Sequence, residues 1–208
     1  IHLMSEAMSY AYADRSKFLG DPDFVVVPQN WLTSPDYAAE VRARIDPDHA
    51  TPSAEIRPGT PPAGHESNET THFSIVDAAN AVEPNKRPLS SMTPTIVFRN
   101  GKVVLVTGSP GGSRIITTVL QVILNTVTHG LDIASATAAP RIHDQRLPDK
   151  IRIEQGISPD TVRILEEMGH KVAVKDAMGS TQSIQVGADG TLYGASDPRR
   201  AGSLAAGY

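Results

Sequence analysis

The chain has 208 residues, 39% of them hydrophobic and 5% aromatic, which is enough for one domain with a sizeable core and favours a globular fold. Its formal net charge of -4 includes no excess of basic residues, so the composition argues against binding to nucleic acid or to an anionic membrane. The absence of cysteine excludes disulfides, thiolate metal sites and a cysteine nucleophile, and neither a signal peptide nor an apolar run long enough to span a bilayer is visible.

The first part of the chain is predicted to be helical. Residues 1–18 predict an amphipathic helix because apolar side chains recur at helical spacing; these are Leu3, Met4, Ala7, Met8 and Ala11. A second helix over residues 34–45 is indicated by an N-cap serine, a proline at the first helical position and an acidic residue in the first turn. Residues 46–68 are rich in proline and keep no regular period, which predicts an exposed, irregular connector.

The rest of the chain alternates short strands with helices. β-Branched residues over 70–77 predict a strand, and Asn100-Gly101 between two apolar runs predicts a hairpin of residues 95–98 with 103–107. Further helices are predicted over 113–129, 132–139 and from Ser158 to Gly169, and further strands over 151–154, 171–175, 183–186 and 191–193. This order indicates an α+β fold in which antiparallel sheets are covered by helices.

Thr70, where the connector meets a strand, is a candidate nucleophile. A threonine hydroxyl needs a nearby base, and a chain break between Glu69 and Thr70 would supply one, because the new α-amino group titrates near neutrality. Before the break, the hydroxyl could attack the Glu69 carbonyl in an N-to-O acyl shift. The alternative is that Thr70 and Thr71 merely begin a strand, which local chemistry alone favours.

Two other segments carry groups that suit a substrate anion. Ser90 and Ser91 can donate hydrogen bonds to a carboxylate, with added positive charge from Lys86 and Arg87; the alternative is a serine turn with solvated basic residues. The glycine-rich segment 108–112 precedes a helix, so its backbone N–H groups could stabilise an oxyanion, although a tight turn with a helix cap is the simpler interpretation. A phosphate site is disfavoured because the lysine of a P-loop is absent.

The histidines are scattered along the chain, and no pair stands at a metal-ligand spacing with a third partner, so no metal site is predicted. They are His2, His49, His65, His72, His129, His143 and His170. Near the C-terminal end, Asp197-Pro198-Arg199 predicts a turn.

Taken in order, these segments resemble the γ-glutamyltransferase family. Glu66–Ser74 resembles its processing site, Pro84–Met92 its substrate-carboxylate loop, and Thr107–Arg114 its oxyanion loop. Further resemblances lie in Tyr10–Arg15, Ser53–Arg57 and Tyr193–Arg199. The resemblance covers nearly the whole chain.

The resemblance implies a four-layer αββα N-terminal-nucleophile hydrolase fold. Thr70 would be the nucleophile freed by self-cleavage, Ser90 and Ser91 would hold the substrate α-carboxylate, and Gly111 and Gly112 would supply oxyanion N–H groups. The enzyme would transfer the γ-glutamyl group of glutathione or related compounds to water, amino acids or peptides, without metal or organic cofactor. Residues 1–69 would then be the end of the large subunit and 70–208 the small subunit, in a periplasmic or extracellular setting.

Two departures from the family pattern limit what the resemblance implies. Most of the large subunit is missing, including an arginine that pairs with the substrate carboxylate. Residues 78–80 resemble the join left by an internal deletion, which would remove core strands and the groups that bind the glutamyl amino group. The fold is therefore expected to be incomplete, and the chain alone to be weak or inactive without a large-subunit segment or partner chain. The alternatives are a related cephalosporin or glutaryl acylase and an inactive remnant.

Overall fold

The computed structural model describes residues 1–62 and 82–207, and this part of the chain forms two compact units. The first, here called the helical unit, combines Ile1–Ser90, Asp144–Lys150 and Arg163–Lys171. The second, here called the sheet unit, combines Ser91–His143, Ile151–Val162 and Val172–Tyr208. The predicted subunit division at Glu69 and Thr70 lies outside the described residues and stays a prediction, as do the strand over 70–77 and the join at 78–80.

The described elements follow the predicted order with several additions. The helices are α1 His2–Phe18, α2 Gln29–Leu32, α3 Pro35–Arg44, α4 Ile115–Ile123, α5 Ile133–Ala138 and α6 Pro159–Glu167. The strands are β1 Thr95–Arg99, β2 Lys102–Gly108, β3 Ile142–His143, β4 Ile151–Glu154, β5 Val172–Lys175, β6 Gln182–Val186 and β7 Leu192–Ser196. The short elements α2 and β3 were not predicted. Among the described residues, no helix has the length and hydropathy needed to cross a bilayer.

Helix α1 is present, but only part of its predicted apolar face is buried: Met8 is 3% exposed and Met4 is half-buried. Leu3 is 57% exposed and Ala7 and Ala11 are also exposed, whereas the buried face carries several polar side chains. These buried polar residues include Ser5, Glu6, Ser9 and Asp14. The reason is that this face is held by hydrogen bonds to other segments of the helical unit: the Ser5 hydroxyl donates to Asp144 Oδ2 at 2.6 Å.

The core of the helical unit surrounds a buried carboxylate. Tyr10, Ala13 and Ile56 pack together there. Beside them, Asp14 accepts a hydrogen bond from the Tyr37 hydroxyl at 2.7 Å and another from the Gly59 N–H at 2.8 Å. Burial raises the pKa of Asp14 above its ordinary value despite these donors. One carboxylate thus joins α1, α3 and the proline-rich connector.

The start of α3 confirms the predicted capping pattern. The Ser34 side chain accepts a hydrogen bond from the Tyr37 N–H at 3.2 Å, and Pro35 occupies the first helical position. A serine oxygen thus satisfies one of the N–H groups that a helix start leaves without an internal partner.

The sheet unit contains a four-stranded antiparallel sheet of order β1-β2-β6-β7. The predicted Asn-Gly hairpin is confirmed, because Asn100 and Gly101 join β1 to β2 with φ of 52° and 76°. On one side of this sheet, Leu105 and Ala195 form a core with Val122 of α4 and Ile133 of α5.

The opposite side of the same sheet is apolar and open. Register places Ile96 beside Val106, and Val106 beside Ile184, and these three side chains are 56%, 38% and 43% exposed. This row is here called the outer apolar stripe. Such an exposed apolar row across three strands is unusual for a sheet that is complete in itself.

A second sheet corrects the prediction of purely antiparallel pairing. Strand β3 pairs antiparallel with β4, but β4 pairs in parallel with β5, from Ile151 opposite Val172 to Glu154 opposite Lys175. A parallel pair needs a long crossover, and the segment between β4 and β5 contains α6. The helix was predicted, but its role as a crossover was not.

The helix predicted over 113–129 is divided into three parts. A 3₁₀ turn at Gly112–Arg114 leads into α4, and residues Leu124–Thr128 continue with π-helical geometry. Gly130, with φ of 69°, follows the end of this element as expected. The apolar pattern predicted one continuous helix, whereas in the structure its last part has the wider π-helical geometry.

The hairpin turn offers a direct test of the backbone argument. Gly101→Ala is expected to lower the free energy of unfolding by about 1–2 kcal/mol, because an L-residue is strained at the positive φ that this turn requires. Urea denaturation followed by circular dichroism measures the change. Gly108→Ala is the control and should stay within about 0.5 kcal/mol, since its added Cβ would meet only Pro94 Cα, at 3.9 Å. Equal losses in both variants would contradict the argument.

Candidate active site

The predicted nucleophile Thr70 and the predicted cleavage position after Glu69 lie outside the described residues. Their roles therefore stay predictions. Of the other predicted site residues, Ser90, Ser91, Gly111 and Gly112 are described.

The glycine loop, defined here as residues 108–112, connects the end of β2 to the 3₁₀ turn before α4. Gly111 and Gly112 have φ of 143° and 60°, a backbone that favours glycine. Within residues 1–62 and 82–207, neither of their N–H groups donates a hydrogen bond. Two adjacent N–H donors without a partner, placed before a helix, form an arrangement that can bind an anion or stabilise an oxyanion.

The glycine loop is fixed against a neighbouring turn, residues 178–180. The Ser109 hydroxyl accepts a hydrogen bond from the Ser180 N–H at 3.0 Å and donates to the Pro110 carbonyl at 2.8 Å. Gly179 comes so close that an added Cβ would lie 2.6 Å from Ser109 Oγ. The approach therefore requires glycine at position 179, and the Ser109 side chain packs directly against the backbone of the turn.

A buried ion pair holds this supporting turn. The Arg141 guanidinium contacts Asp197 Oδ2 at 2.6 Å, and the two residues are 2% and 1% exposed. Arg141 also donates to the Met178 carbonyl at 2.6 Å, while Asp197 accepts from the Thr181 N–H at 2.8 Å. The pair thus binds the backbone at Met178, where the turn begins, and at Thr181, directly after it.

A second ion pair extends the first into a network of four charges. Arg199 contacts Glu154 Oε2 at 2.5 Å and Asp197 Oδ1 at 3.1 Å. Glu154 in turn accepts a hydrogen bond from the Met178 N–H at 2.5 Å. This charged network, consisting of Arg141, Glu154, Asp197 and Arg199, alternates positive and negative groups and fixes Met178 through both its N–H and its carbonyl.

Burial and pairing act in opposite directions on the pKa values of these groups. Burial alone would raise the pKa of Asp197, but the N–H groups of Thr181 and Arg199 together with the Arg141 guanidinium lower it below its ordinary value. For Arg141 burial prevails and lowers the pKa, whereas for Arg199 contact with Glu154 outweighs burial and raises it. Asp197, Arg141 and Arg199 are therefore expected to be charged at neutral pH.

Sequence reasoning found only the turn at residues 197–199, which is present, and missed the charged network. Arg141 and Glu154 come from different strands or strand borders, far from Asp197 in the sequence, so no local spacing connects them. The available signal was the position of charged residues directly beside the predicted apolar strands, where an unpaired charge would be costly.

The predicted carboxylate-binding serines lie at the point in the sequence where the two compact units meet. Ser90 belongs to the helical unit, and its carbonyl accepts a hydrogen bond from Arg15 Nη2 at 3.4 Å. Ser91 begins the sheet unit and is half-buried. Both serines have further interactions, and their role in substrate binding stays a prediction.

The basic residues before these serines are already paired. Arg87 contacts Asp21 Oδ1 at 2.5 Å and Asp23 Oδ2 at 2.6 Å, and Lys86 contacts Glu83 Oε1 at 2.8 Å. The hydrogen bonds from Arg87 hold the pKa of Asp21 well below its usual range. The positive charge expected near the serines is therefore balanced by acidic neighbours. The pairing of Arg87 with Asp21 and Asp23 was not predicted because these residues are far apart in the sequence.

The histidines are not all scattered in space. His2 Nδ1 lies 2.7 Å from His170 Nε2, and Glu6 lies beside them, so that the three residues bring potential ligand atoms within 4.8 Å of one another. Burial and the neighbouring His2 lower the pKa of His170. The sequence did not indicate this group, because its members lie at opposite ends of the chain.

Comparison with protein families gives one clear result. The family model described as gamma-glutamyltranspeptidase matches residues 1–80 and residues 77–207. The glutathione hydrolase proenzyme of Escherichia coli K12 is 51% identical over 259 positions, which include 100% of this chain and 44% of that protein. The chain thus spans less than half the length of this relative. Since it has 208 residues, at least 51 of the 259 aligned positions have no counterpart in it.

Solved structures agree with this assignment. A crystal structure of Helicobacter pylori γ-glutamyltranspeptidase is 52% identical with a TM-score of 0.58, covering 60% of this chain and 69% of that one. The cephalosporin acylase of Bacillus halodurans superimposes with a TM-score of 0.78 over 95% of this chain and 43% of that one, at 24% identity. At that identity the second likeness is one of fold alone.

The charged network predicts a large loss of stability when one partner is removed. Asp197→Asn should lower the free energy of unfolding by about 3–5 kcal/mol at pH 7, because it leaves Arg141 buried without its counter-charge. Denaturant unfolding followed by circular dichroism measures the difference. Because the pKa of Asp197 is lowered in the folded chain, its stabilising effect should begin to fade as pH falls below about 5 and should be lost only below that lowered pKa, which lies under the ordinary carboxyl pKa of about 3.9.

Glu167→Gln is the matched control for this prediction. It removes the acidic partner of an exposed pair, Arg163 and Glu167 at 2.6 Å, and should cost less than about 1 kcal/mol. A similar loss in both variants, or a loss in Asp197→Asn that does not shrink in acid, would contradict the role assigned to the network.

Proposed function

Because the chain belongs to the γ-glutamyltranspeptidase family, we propose that it carries the catalytic part of an enzyme that transfers γ-glutamyl groups from glutathione or related amides to water, amino acids or peptides. The observation that carries the proposal is the glycine loop, with two adjacent N–H donors that have no partner among the described residues. The loop coincides with the segment in which the sequence resembles the family's oxyanion loop.

The nucleophile in this proposal is Thr70. Its hydroxyl attacks the Glu69 carbonyl carbon, the peptide C–N bond breaks, and an ester between Glu69 and the threonine oxygen replaces the amide. Water then hydrolyses the ester and leaves Thr70 with a free hydroxyl and a free α-amino group. The name of the Escherichia coli relative, a proenzyme, supports a processing step of this kind.

The catalytic cycle then uses the two groups of Thr70 in turn. The α-amino group accepts the hydroxyl proton while the oxygen attacks the γ-carbonyl carbon of the substrate, and the same proton passes to the departing amine as the amide C–N bond breaks. The γ-glutamyl ester left on Thr70 is then attacked by water or by the amine of an acceptor, which releases the γ-glutamyl group and restores the Thr70 hydroxyl. Negative charge on the carbonyl oxygen would be stabilised by the N–H groups of Gly111 and Gly112. Loss of one such donor typically lowers kcat by about 10²–10³, so a rigid support for the loop is part of catalysis.

Ser90 and Ser91 would bind the α-carboxylate of the γ-glutamyl group. Hydroxyl donors suit a carboxylate, and the pairing of Lys86 and Arg87 with acidic residues leaves the serines as the more direct candidates. An acylase that acts on cephalosporin or glutaryl side chains is the alternative substrate class. The likeness to the Bacillus halodurans acylase concerns fold and does not favour that class.

We extend the proposal to the architecture of the complete enzyme. A four-layer αββα arrangement would cover the outer apolar stripe of Ile96, Val106 and Ile184 with a second sheet. The two matched segments of the family meet at residues 77–80, which supports an internal shortening there. With at least 51 aligned positions of the relative absent, this chain alone should be weak or inactive and should need a large-subunit segment or partner chain.

Two further parts of the proposal rest on the family resemblance. Residues 1–69 would end the large subunit and residues 70–208 would form the small subunit. The enzyme would work in the periplasm or outside the cell. Cleavage between Glu69 and Thr70 would produce both parts from one precursor.

Self-cleavage is the first prediction of this function. Intact-mass spectrometry after incubation at neutral pH should show two fragments divided between Glu69 and Thr70. Thr70→Ala should remain a single chain, because it lacks the attacking hydroxyl. Thr71→Ala is the matched control, since it removes the same group one residue later, and it should be cleaved. An uncleaved native chain, or cleavage in Thr70→Ala, would favour the inactive remnant over the proposed enzyme.

Substrate choice is the second prediction. The chain should hydrolyse a γ-glutamyl p-nitroanilide faster than the glutaryl p-nitroanilide, although slowly, as measured by the absorbance of released nitroaniline. Ser91→Ala should raise KM for the γ-glutamyl compound about 10-fold or more, because it removes a hydrogen bond to a charged group. Ser16→Ala, at an exposed position of α1, should leave KM unchanged. A preference for the glutaryl compound would favour the acylase.

A further inference from the structure

A buried group of two histidines and one glutamate lies within the helical unit, apart from every residue assigned above to the proposed reaction. His2 and Glu6 stand one turn apart on α1, and His170 follows the end of α6. His2 and Glu6 are 7% and 2% exposed, and His170 is half-buried. Their potential ligand atoms lie within 4.8 Å of one another. The three side chains therefore converge on one point inside the unit.

The orientation of His2 is fixed by the backbone. His2 Nε2 lies 2.8 Å from the Asp46 carbonyl, which can only accept, so this nitrogen carries the proton. The lone pair of a neutral His2 is then on Nδ1, which points to His170 Nε2 at 2.7 Å. An imidazole that donates one N–H to a backbone carbonyl and presents its other nitrogen to a shared centre has the arrangement of a metal ligand.

The Glu6 carboxylate is only half satisfied. Its Oε1 accepts a hydrogen bond from the Thr51 N–H at 3.1 Å. Its Oε2 is buried and has no hydrogen-bond partner among the described residues. Leaving a buried charged oxygen without a partner is costly, and the usual compensation is a proton, a water molecule or a cation. Because a carboxylate oxygen of Glu6 and a nitrogen of each histidine lie within 4.8 Å of one another, one cation satisfies all three groups together.

We propose that His2, Glu6 and His170 bind one divalent transition-metal ion, and that this ion is zinc. Two imidazoles and one carboxylate are an established zinc donor set, and three protein ligands leave the fourth tetrahedral position for water. The set contains no thiolate and too few oxygens for calcium or magnesium.

Metal binding requires a proton to leave the space between the two imidazole rings and the rings to move slightly apart. Zinc at about 2.0–2.1 Å from each nitrogen needs a nitrogen–nitrogen separation of about 3.3 Å, somewhat more than the present hydrogen bond of 2.7 Å. The single N–H proton of a neutral His170, which lies on Nε2 and faces His2 Nδ1, moves to His170 Nδ1, so that both facing nitrogens can bind the metal. Rotation of the half-buried His170 ring provides the space.

The ion would join segments of the helical unit that lie far apart in the sequence. The site joins the start of α1 to the segment after α6, and through the Asp46 carbonyl to the connector. The same region is tied by the Ala50 N–H, which donates to the Met168 carbonyl at 2.7 Å. Segments that are far apart in sequence would thus be fixed at one point, independently of the proposed reaction.

The test is a zinc titration of the chain after removal of metal with a chelator. Calorimetry with zinc sulfate should show one equivalent bound with a Kd below about 1 µM, and Tm should rise by about 5 °C or more at 100 times Kd. His170→Gln and Glu6→Gln should each weaken binding by about 100-fold or more. His49→Gln is the matched control, because His49 is exposed in the same unit and lies beside Asp46, and it should bind as the native chain does.

Two results would overturn the proposal. The first is the absence of saturable one-to-one binding by a folded native chain, and the second is binding that survives in both site variants or is lost in His49→Gln. Circular dichroism of each metal-free variant verifies that it is folded. If one site variant fails to fold, the other, together with extended X-ray absorption of the native zinc complex, decides the question: imidazole ligands support the site, and their absence refutes it.

Discussion

The buried pairing of Arg141 with Asp197 is the interaction on which the sheet unit depends most. Each charge would be costly to bury alone, and each is satisfied by the other and by backbone groups of residues 178–181. Glu154 and Arg199 add a second pair that fixes Met178 from the other side. Charge pairs of this kind contribute little net stability compared with a well-packed apolar core, but they tolerate few alternative geometries. The network is therefore a positioning device.

The charged network positions the turn of residues 178–180, against which the glycine loop packs. Gly179 approaches Ser109, and Gly111 and Gly112 adopt positive φ, so this loop carries the candidate oxyanion donors on a backbone that favours glycine. A loop of glycines is intrinsically flexible and loses more entropy on ordering than other residues do. The rigid charged network beneath the turn and the hydrogen bond between Ser109 and Ser180 offset that cost. Preorganised donors are effective in catalysis because they need no reorganisation during the reaction.

Local rules predicted the elements well. Asn100-Gly101 identified the hairpin, Ser34-Pro35 identified the start of α3, and Gly130 followed the end of the long helical segment, because each effect acts within a few residues. The same rules predicted the buried face of α1 only in part, since apolar spacing cannot show that Ser5 and Glu6 have partners elsewhere in the fold. They also gave no sign of the parallel pairing of β4 with β5.

In the candidate site, too, local features were predicted from the sequence and long-range contacts were not. Gly111 and Gly112 were identified from a local pattern and from resemblance, and the structure adds their conformation and their support. Arg141, Glu154 and the neighbouring His2 and His170 were not identified as partners, because only the folded chain brings them together. Charge pairs between residues that are far apart in the sequence produce no periodic pattern of residue types that could reveal them.

The helical unit contains segments that precede Thr70 and segments that follow it, which matters for a precursor that is cut before that residue. The hydrogen bonds and ion pairs from His2 to His170, from Ser5 to Asp144, from Asp21 to Arg87 and from Ser53 to Asp149 all join residues on opposite sides of that position. Both products of the cut would therefore share one folded unit, as two complementary fragments do, and would remain associated without a covalent link. The new N-terminus would be gained without dissociation of the protein.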